Sequence, residues 1–305
     1  MTPLVSVVIP NYNYGRFLGE AIESALGQTY PHREIIVVDD GSTDESETVL
    51  RGFGGRIHWV RQGRQGVAAA RNRGVAESRG ALLAFLDSDD AWHPEKLARQ
   101  VACLSRPAVG LVCCGLEYID ESGRVLGQSL PTQRGRLLKE IALLRWSYAP
   151  GGSAALVRRA SLQRAGLFDP ELSTSADWDL WRRIACDDEI EICPEPLVQY
   201  RVHAGSMHRD LAVFERDMLR AFAKMFQDPA AAAVHGLRRR SYSNLYRQFS
   251  GSYARAGRWG KAVAYAWRSV LAWPPSAVTL GAVPIRRLRR RLGRRPEALE
   301  PACSP

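Results

Sequence analysis

Four short runs of β-branched or Leu-rich sequence, residues 5–9, 35–38, 57–60 and 82–86, most restrict how this chain can fold. A strand with one wet face alternates apolar and polar residues. Runs that do not alternate suit strands covered on both faces, as in a parallel sheet flanked by helices. Segments with helical spacing lie between them, at 17–26, 44–51 and 67–77. Pro94 in "HPEKLARQVACL" suits a first helical turn, where its missing N–H costs nothing. Strand, helix, strand, helix predicts an α/β, doubly wound sheet. In such sheets ligands bind beyond the carboxyl ends of the strands.

The polar residues stand where that topology asks for them. "PNYNYG" follows the first run, "DDGSTD" the second and "DSDDAW" the fourth, so Asp39, Asp40, Asp87, Asp89 and Asp90 can converge on one edge. Three carboxylates within four positions repel one another, which raises the cost of ionising each. A divalent cation such as Mn²⁺ or Mg²⁺, bound through hard oxygens and bridging phosphates, would relieve that cost. A solvated acidic turn ahead of Pro94 is the plainer alternative. A calcium loop fails because Trp92 occupies the position that needs Gly. An aspartyl-nucleophile phosphatase shares the D-x-D spacing of Asp87 and Asp89, but Ala91 stands where it needs a hydroxyl. Asp39, Asp40 and Gly41 read as a turn, with Asp44 capping the next helix. Carboxylates there can also accept the N–H of a pyrimidine or the hydroxyls of a ribose. No G-x-G-x-x-G follows the first run and no P-loop occurs, which argues against nicotinamide enzymes and P-loop NTPases.

Residues 107–208 are less regular, with a strand-like "VGLVCCGLEYI", a Gly-rich "APGGSAALV" and a helix-like "SADWDLWRRIA". Helix signals dominate from about Arg209. Two amphipathic helices are expected to join at Ala256 and Gly257 and to stop at Pro274 and Pro275. Charge divides the chain at the same place. Residues 1–208 hold 23 Lys/Arg against 26 Asp/Glu, whereas 209–305 hold 19 against 6. We therefore expect a catalytic domain over 1–208 and a helical, Arg-rich extension over 209–305. The segment 286–295 carries seven arginines. It reads either as a solvated end or as a patch drawn to an anionic membrane surface; nucleic-acid binding lacks an accompanying module. Six cysteines without C-x-x-C spacing or a zinc-like His pattern fit a reduced, cytoplasmic compartment. The opening residues lack a signal-peptide pattern, and no apolar stretch reaches membrane-spanning length.

"VSVVIPNYNYGRFLGEAIESALGQTYPHREIIVVDDGSTDES", "GVAAARNRGVAESRGALLAFLDSDDAW" and "SADWDLWRRIA", collinear over roughly residues 4–208, resemble the family 2 glycosyltransferases with their A-type (GT-A) nucleotide-sugar fold. The resemblance implies metal-assisted transfer of a sugar from a nucleoside diphosphate, UDP-type favoured, with inversion. The acceptor would be a glycan or lipid-linked hydroxyl of the cell envelope or an exopolysaccharide, and the enzyme would work in the cytoplasm or on the inner face of its membrane. By the same resemblance Pro10 and Tyr12 pack the base, Asp40 holds its edge with Asp39 beside it, and Arg71 lies near the nucleotide. Asp87 and Asp89 match the D-x-D motif with Asp90 adjacent, and Asp89 or Asp90 meets the metal. Arg201 and His203 of "YRVHAGS" approach the diphosphate or the metal. Asp177 matches the base that deprotonates the acceptor, with Asp179 ranked behind it, and Trp178 and Trp181 would line the acceptor pocket. Many relatives carry an acid just before the base, where this chain has Ala176. The rival reading is a non-catalytic membrane- or nucleic-acid-associated binding protein on a degenerate transferase fold.

Overall fold

A computed structural model describes residues 2–146, 151–203, 205 and 210–277. The chain runs β1 (Val5–Asn11), α1 (Gly15–Leu26), β2 (Arg33–Asp39), α2 (Ser46–Gly52), β3 (His58–Arg61), α3 (Val67–Glu77), β4 (Leu82–Phe85), β5 (Ala91–Trp92) and α4 (Lys96–Cys103). It continues through β6 (Val109–Ile119), β7 (Val125–Ser129), α5 (Leu138–Ala142), β8 (Ala155–Arg158), α6 (Arg159–Ala165), α7 (Ala176–Asp187) and β9 (Glu189–Arg201). Four helices follow: α8 (Leu211–Met225), α9 (Ala232–His235), α10 (Arg238–Arg255) and α11 (Trp259–Ala272).

Among the described residues the strands form one mixed sheet ordered β3-β2-β1-β4-β8-β6-β9-β5, with β7 paired to β6. Strands β1 to β4 pair in parallel. The sheet turns antiparallel where β8 joins β4 and β6. Every residue of β1 and β4 is buried, which is why their sequences do not alternate. Helix α3 lies so close on β1 that a Cβ on Gly74 would come within 2.2 Å of Val8 Cγ1. The Asp44 carboxylate accepts from the Gly15 and Ser46 amides, so one side chain satisfies the first turns of both α1 and α2. Pro94 stands in the turn just before α4 rather than inside it.

One apolar core surrounds the sheet and reaches Ala221 of α8. A second gathers Met218, Phe222, Leu245, Phe249, Tyr253 and Tyr265 from α8, α10 and α11, with Ala142 of α5. Polar ties join the two. The buried Asp217 carboxylate accepts from the Ser173 and Thr174 amides at 2.8 and 3.0 Å, just ahead of α7. Arg182 of α7 donates to Asp228 at 2.5 Å, and Trp178 stacks on Phe222 at 5.1 Å. The expected boundary at 208/209 falls outside the described residues, as do the arginine-rich segment 286–295 and Cys303. The five described cysteines are free thiols, and no described helix is long and apolar enough to cross a membrane.

Lys96 is fully buried at the start of α4. Its Nζ donates to Gln100 Oε1 at 2.8 Å and lies 3.8 Å from the Trp92 ring centroid. Burial pulls its pKa from 10.5 down to about 8, only partly opposed by the Cys114, Cys193 and Cys113 thiols. The unfolded chain therefore binds the proton more tightly. The resulting penalty is full below pH 8 and fades as pH rises from about 8 to about 10.5. Lys96→Met should stabilise the protein at pH 7 by about 1–2 kcal/mol, a roughly 3 kcal/mol penalty less the lost cation–π contact and the stranded Gln100 oxygen. Urea unfolding at pH 7 and pH 10 checks it: the advantage should shrink at the higher pH. A variant less stable at pH 7 contradicts this account.

Candidate active site

The loops that leave β1, β2 and β4 meet at one edge of the sheet. Asn11 at the end of β1 donates to Asp39 Oδ1 and Ser42 Oγ, both at 3.1 Å. This fixes the first two loops together. Asp39 is buried, with Arg61 at 3.6 Å. The neighbouring Asp40 accepts from Gln62 Nε2 and the Gln65 amide at 2.8 Å, and from the Gly66 amide at 2.7 Å. It thereby holds the turn that starts α3, where Gly66 adopts φ 92°. Its oxygens face this loop, not open solvent. Pro10 is likewise enclosed in β1, opposite Val38. Tyr12 is the residue of this group that presents a ring face, and the Arg64 guanidinium lies 4.1 Å above its centroid. The sequence reading did not include Arg64; a cation one turn ahead of α3 offers no pattern beyond its charge.

The acids after β4 separate by environment. Asp87 keeps an exposed edge, and its Oδ1 accepts from Arg71 Nη2 at 2.7 Å. Asp89 also keeps an open edge, while its Oδ2 meets His203 Nε2 at 3.0 Å. Asp90 points inward. Its oxygens accept from Ser153 Oγ at 2.6 Å and the Arg201 amide at 3.0 Å. Burial, with Asp89 and Asp87 adding to it, pushes the Asp90 carboxyl well above the usual carboxylate value. Of the two candidate metal ligands, Asp89 has the accessible oxygen and Asp90 does not.

Arg201 and His203 differ from their expected contacts for a related reason. Every nitrogen of the buried Arg201 guanidinium already donates within the protein: Nε to the Asp89 carbonyl, Nη1 to those of Asp120 and Glu121, and Nη2 to Glu20. Arg201 thus shapes the acidic turn and has no nitrogen turned to the cleft. His203 accepts the Gly205 amide on Nδ1 at 3.2 Å, which leaves Nε2 as the protonated nitrogen that donates to Asp89. Both ring nitrogens are engaged, so His203 fixes the orientation of the Asp89 carboxylate and is not itself turned to a ligand. Tyr14, absent from the sequence reading, sets its ring edge-on to His203 at 5.5 Å. Burial, then Asp89 and Asp87, push its hydroxyl up to about 12.

Asp177 stands in the first turn of α7. Its Oδ1 accepts from Arg71 Nη1 at 2.6 Å and its Oδ2 from the Gly152 amide at 3.0 Å. Arg71, on α3, therefore carries Asp87 on one terminal nitrogen and Asp177 on the other. Burial works against its charge, but Asp177 and Asp87 outweigh that and hold it above its ordinary pKa. A Cβ on Gly152 would stand 2.9 Å from Arg71 Nη2, so the Gly-rich segment is what lets the backbone approach this pair. Ser153 next to it accepts from the Asp87 amide, donates to Asp90, and receives the Trp92 indole N–H on its carbonyl. A serine in a Gly-rich loop gave no hint of that role. Asp179 is buried against Arg182 and Arg183 at 2.8 Å and has no access to the cleft. Trp181 corrects the acceptor-pocket expectation: it is 1 % exposed and packs on Phe85 and Phe168 in the core. Trp178 spends a face on Phe222.

Among the described residues no group of three or more His, Cys, Asp or Glu side chains is placed to hold a metal ion. Mg²⁺ and Mn²⁺ do not need one, because one or two carboxylates plus substrate phosphates complete their shells. The accessible, His-oriented Asp89 fits that requirement.

This architecture is that of the GT-A transferases. The chain aligns with Staphylococcus aureus TarS residues 1–349 in complex with UDP-GlcNAc at TM-score 0.62 and 16% identity, covering 86% of this chain and 90% of that one. A mannosyltransferase from Pyrobaculum calidifontis in complex with GDP-Man and Mn²⁺ aligns at TM-score 0.58 and 21% identity, covering 96% and 88%. Residues 6–166, just over half the chain, match the model of glycosyl transferase family 2, and the chain belongs to that family. It is 36% identical over 208 residues to an uncharacterized glycosyltransferase of Rickettsia prowazekii (strain Madrid E), a match covering 67% of this chain but 65% of that relative's length. It is also 36% identical over 128 residues to the putative teichuronic acid biosynthesis glycosyltransferase TuaG of Bacillus subtilis (strain 168), covering 41% of this chain and 51% of TuaG.

Proposed function

We propose that this family 2 glycosyltransferase moves a sugar, with inversion, from a nucleoside-diphosphate sugar to a hydroxyl of a glycan or lipid-linked acceptor in cell-envelope or exopolysaccharide synthesis. The observation that carries the reading is Arg71, which draws Asp87 from the end of β4 and Asp177 from the start of α7 to one point, 2.7 and 2.6 Å from its two terminal nitrogens. In this reading Asp177 takes the acceptor proton as the hydroxyl oxygen bonds to the anomeric carbon. The bond from that carbon to the diphosphate oxygen breaks in the same displacement, its electron pair leaving with the nucleoside diphosphate. Tyr12 supplies the surface for the base, with Pro10, Asp39 and Asp40 behind it as its frame, and Asp87 with Arg71 borders the diphosphate. Asp89, set by His203, would hold Mn²⁺ or Mg²⁺ together with diphosphate oxygens, and the cation supplies Lewis-acid stabilisation of the leaving group. Neighbours in complex with UDP-GlcNAc and with GDP-Man and Mn²⁺ support donor class and metal; TuaG's name supports an envelope polysaccharide. The free thiols fit a cytoplasmic setting.

The test is release of nucleoside diphosphate from a panel of UDP- and GDP-sugars, in Mn²⁺, Mg²⁺ or chelator. Turnover should require metal and favour UDP-sugars, and Asp89→Ala should lower it by about a hundredfold or more. Equal background release in every sample would instead indicate a binding protein on a degenerate fold.

A further inference from the structure

Helix α11 packs one face on α10 and leaves the other bare. Ala262, Tyr265 and Ser269 are buried, and Ser269 donates to the Ser243 carbonyl at 2.9 Å. Elsewhere around the helix Trp259, Val263, Trp267 and Leu271 follow at intervals of four and are 64, 55, 65 and 72 % exposed. A step of four keeps side chains on one row of a helix, so these form a continuous apolar ridge. Trp273 lies just beyond it. Such a ridge is not ordinary surface: of the eight large hydrophobics exposed among the described residues, five lie between 259 and 273.

The charge around the ridge is mostly positive, although Glu215 of α8 pairs with Lys261 at 3.3 Å. From 229 to 296 the sequence holds 15 Lys/Arg and no Asp or Glu. Arg258 precedes the helix, Lys261 and Arg268 lie on it, and Arg239 donates to the Ala272 carbonyl at its end; Arg258, Lys261, Arg268 and Arg239 are exposed.

We propose that α11 is a membrane-docking helix whose Trp259, Val263, Trp267 and Leu271 ridge seats in the interface of an anionic bilayer, with Arg258 and Arg268 reaching lipid phosphates. Indoles favour the headgroup boundary, since they join an apolar body to one N–H donor. Valine and leucine need the acyl region beneath it. A nucleic acid offers phosphates but no place for Val263 and Leu271. A second copy of this chain would bring its own excess of positive charge to the same face. Stable attachment takes two signals: the ridge supplies the apolar one and the surrounding cations the electrostatic one. The proposal stands apart from the catalytic reading, because lipid binding is read without turnover.

The full-length chain is sedimented with phosphatidylcholine vesicles that contain or lack phosphatidylglycerol, at low and physiological salt. Wild type should bind the anionic vesicles and not the neutral ones, with tryptophan emission shifted to the blue and quenched by brominated acyl chains. The double variant Trp267→Ser, Leu271→Ser keeps every charge. It should bind roughly tenfold or more weakly with an unchanged circular dichroism spectrum and unfolding midpoint. Equal binding by the variant overturns the proposal in favour of attraction by charge alone. A wild-type dimer that the substitutions dissociate, with no lipid dependence, overturns it in favour of self-association. Preferential, substitution-insensitive capture of an RNA oligonucleotide overturns it as well.

Discussion

Asp177→Asn should lower kcat for transfer about a thousandfold while leaving the donor KM within about threefold, the signature of a lost general base. Asparagine is nearly isosteric, and its amide oxygen can still accept from Arg71. It cannot take the acceptor proton. Its amide nitrogen would also face the Gly152 N–H, donor against donor, where the carboxylate accepts at 3.0 Å. Asp177→Ala should be as slow, since the missing function is chemical. The neighbouring Asp179, buried against two arginines, has no route to replace it. Steady-state transfer to an acceptor, measured beside background donor hydrolysis, separates these effects. A kcat within tenfold of wild type would remove Asp177 from the mechanism.

The second large effect is expected at Arg71. Its side chain is 3 % exposed, and its partners Asp87 and Asp177 are 25 and 17 % exposed. Arg71→Met leaves two carboxylates facing each other without their cation. Breaking a fully buried pair costs about 3–5 kcal/mol; partial access of water to both acids reduces that to roughly 2–3 kcal/mol. The melting temperature should fall by about 5 °C or more, and kcat/KM about a hundredfold or more, because the acid after β4 and the acid on α7 lose their common anchor. Arg71→Lys restores charge but not the fork, and one ammonium cannot hold two carboxylates in fixed geometry. Lysine should therefore recover much of the stability and little of the activity. Thermal melts paired with kinetics read both, and a fully active lysine variant would show that charge alone matters at this position.

The first half of the fold was legible because β1, most of β2 and β4 are covered on both sides; β3, at the edge of the sheet, departs from that expectation and keeps His58 and Arg61 exposed. Residues 67–77 are helical as read, and "VGLVCCGLEYI" is β6 end to end. The two terminal helices also meet where Ala256 and Gly257 predicted. Strand β9 was not legible. Its "EIEICPEPLVQYR" mixes glutamates and two prolines, and those prolines fall where the pairing with β6 slips between Cys114 and Gly115. Two-residue β5 and four-residue β8 are too short to show any period.

At the site, the placement of acids beyond strand ends could be read directly, since the topology of such sheets dictates it. What each acid touches could not. Asp89 and Asp90 are adjacent and chemically identical, yet one faces the cleft while the other closes a loop through Ser153 and Arg201. That difference arises from the Gly-rich loop ahead of β8 and from β9, more than 60 residues downstream. Trp181 misled for a similar reason. An aromatic in the helix that bears Asp177 suggests a sugar platform, but α7 is covered by the sheet on one side and by α8 on the other.

The clasp of Asp217 on Ser173 and Thr174 ties the entry to α7 to a helix far along the chain. The family model matches residues 6–166 and stops before the turn that leads into α7, and an aspartate some forty residues beyond that turn fixes it. In the proposed function, the helix that carries the base is therefore aligned by α8 as well as by the sheet. Asp217→Ala should then slow transfer to the acceptor more than it weakens binding of the donor, because it loosens the approach to Asp177 and leaves the loops after β1 and β2 untouched.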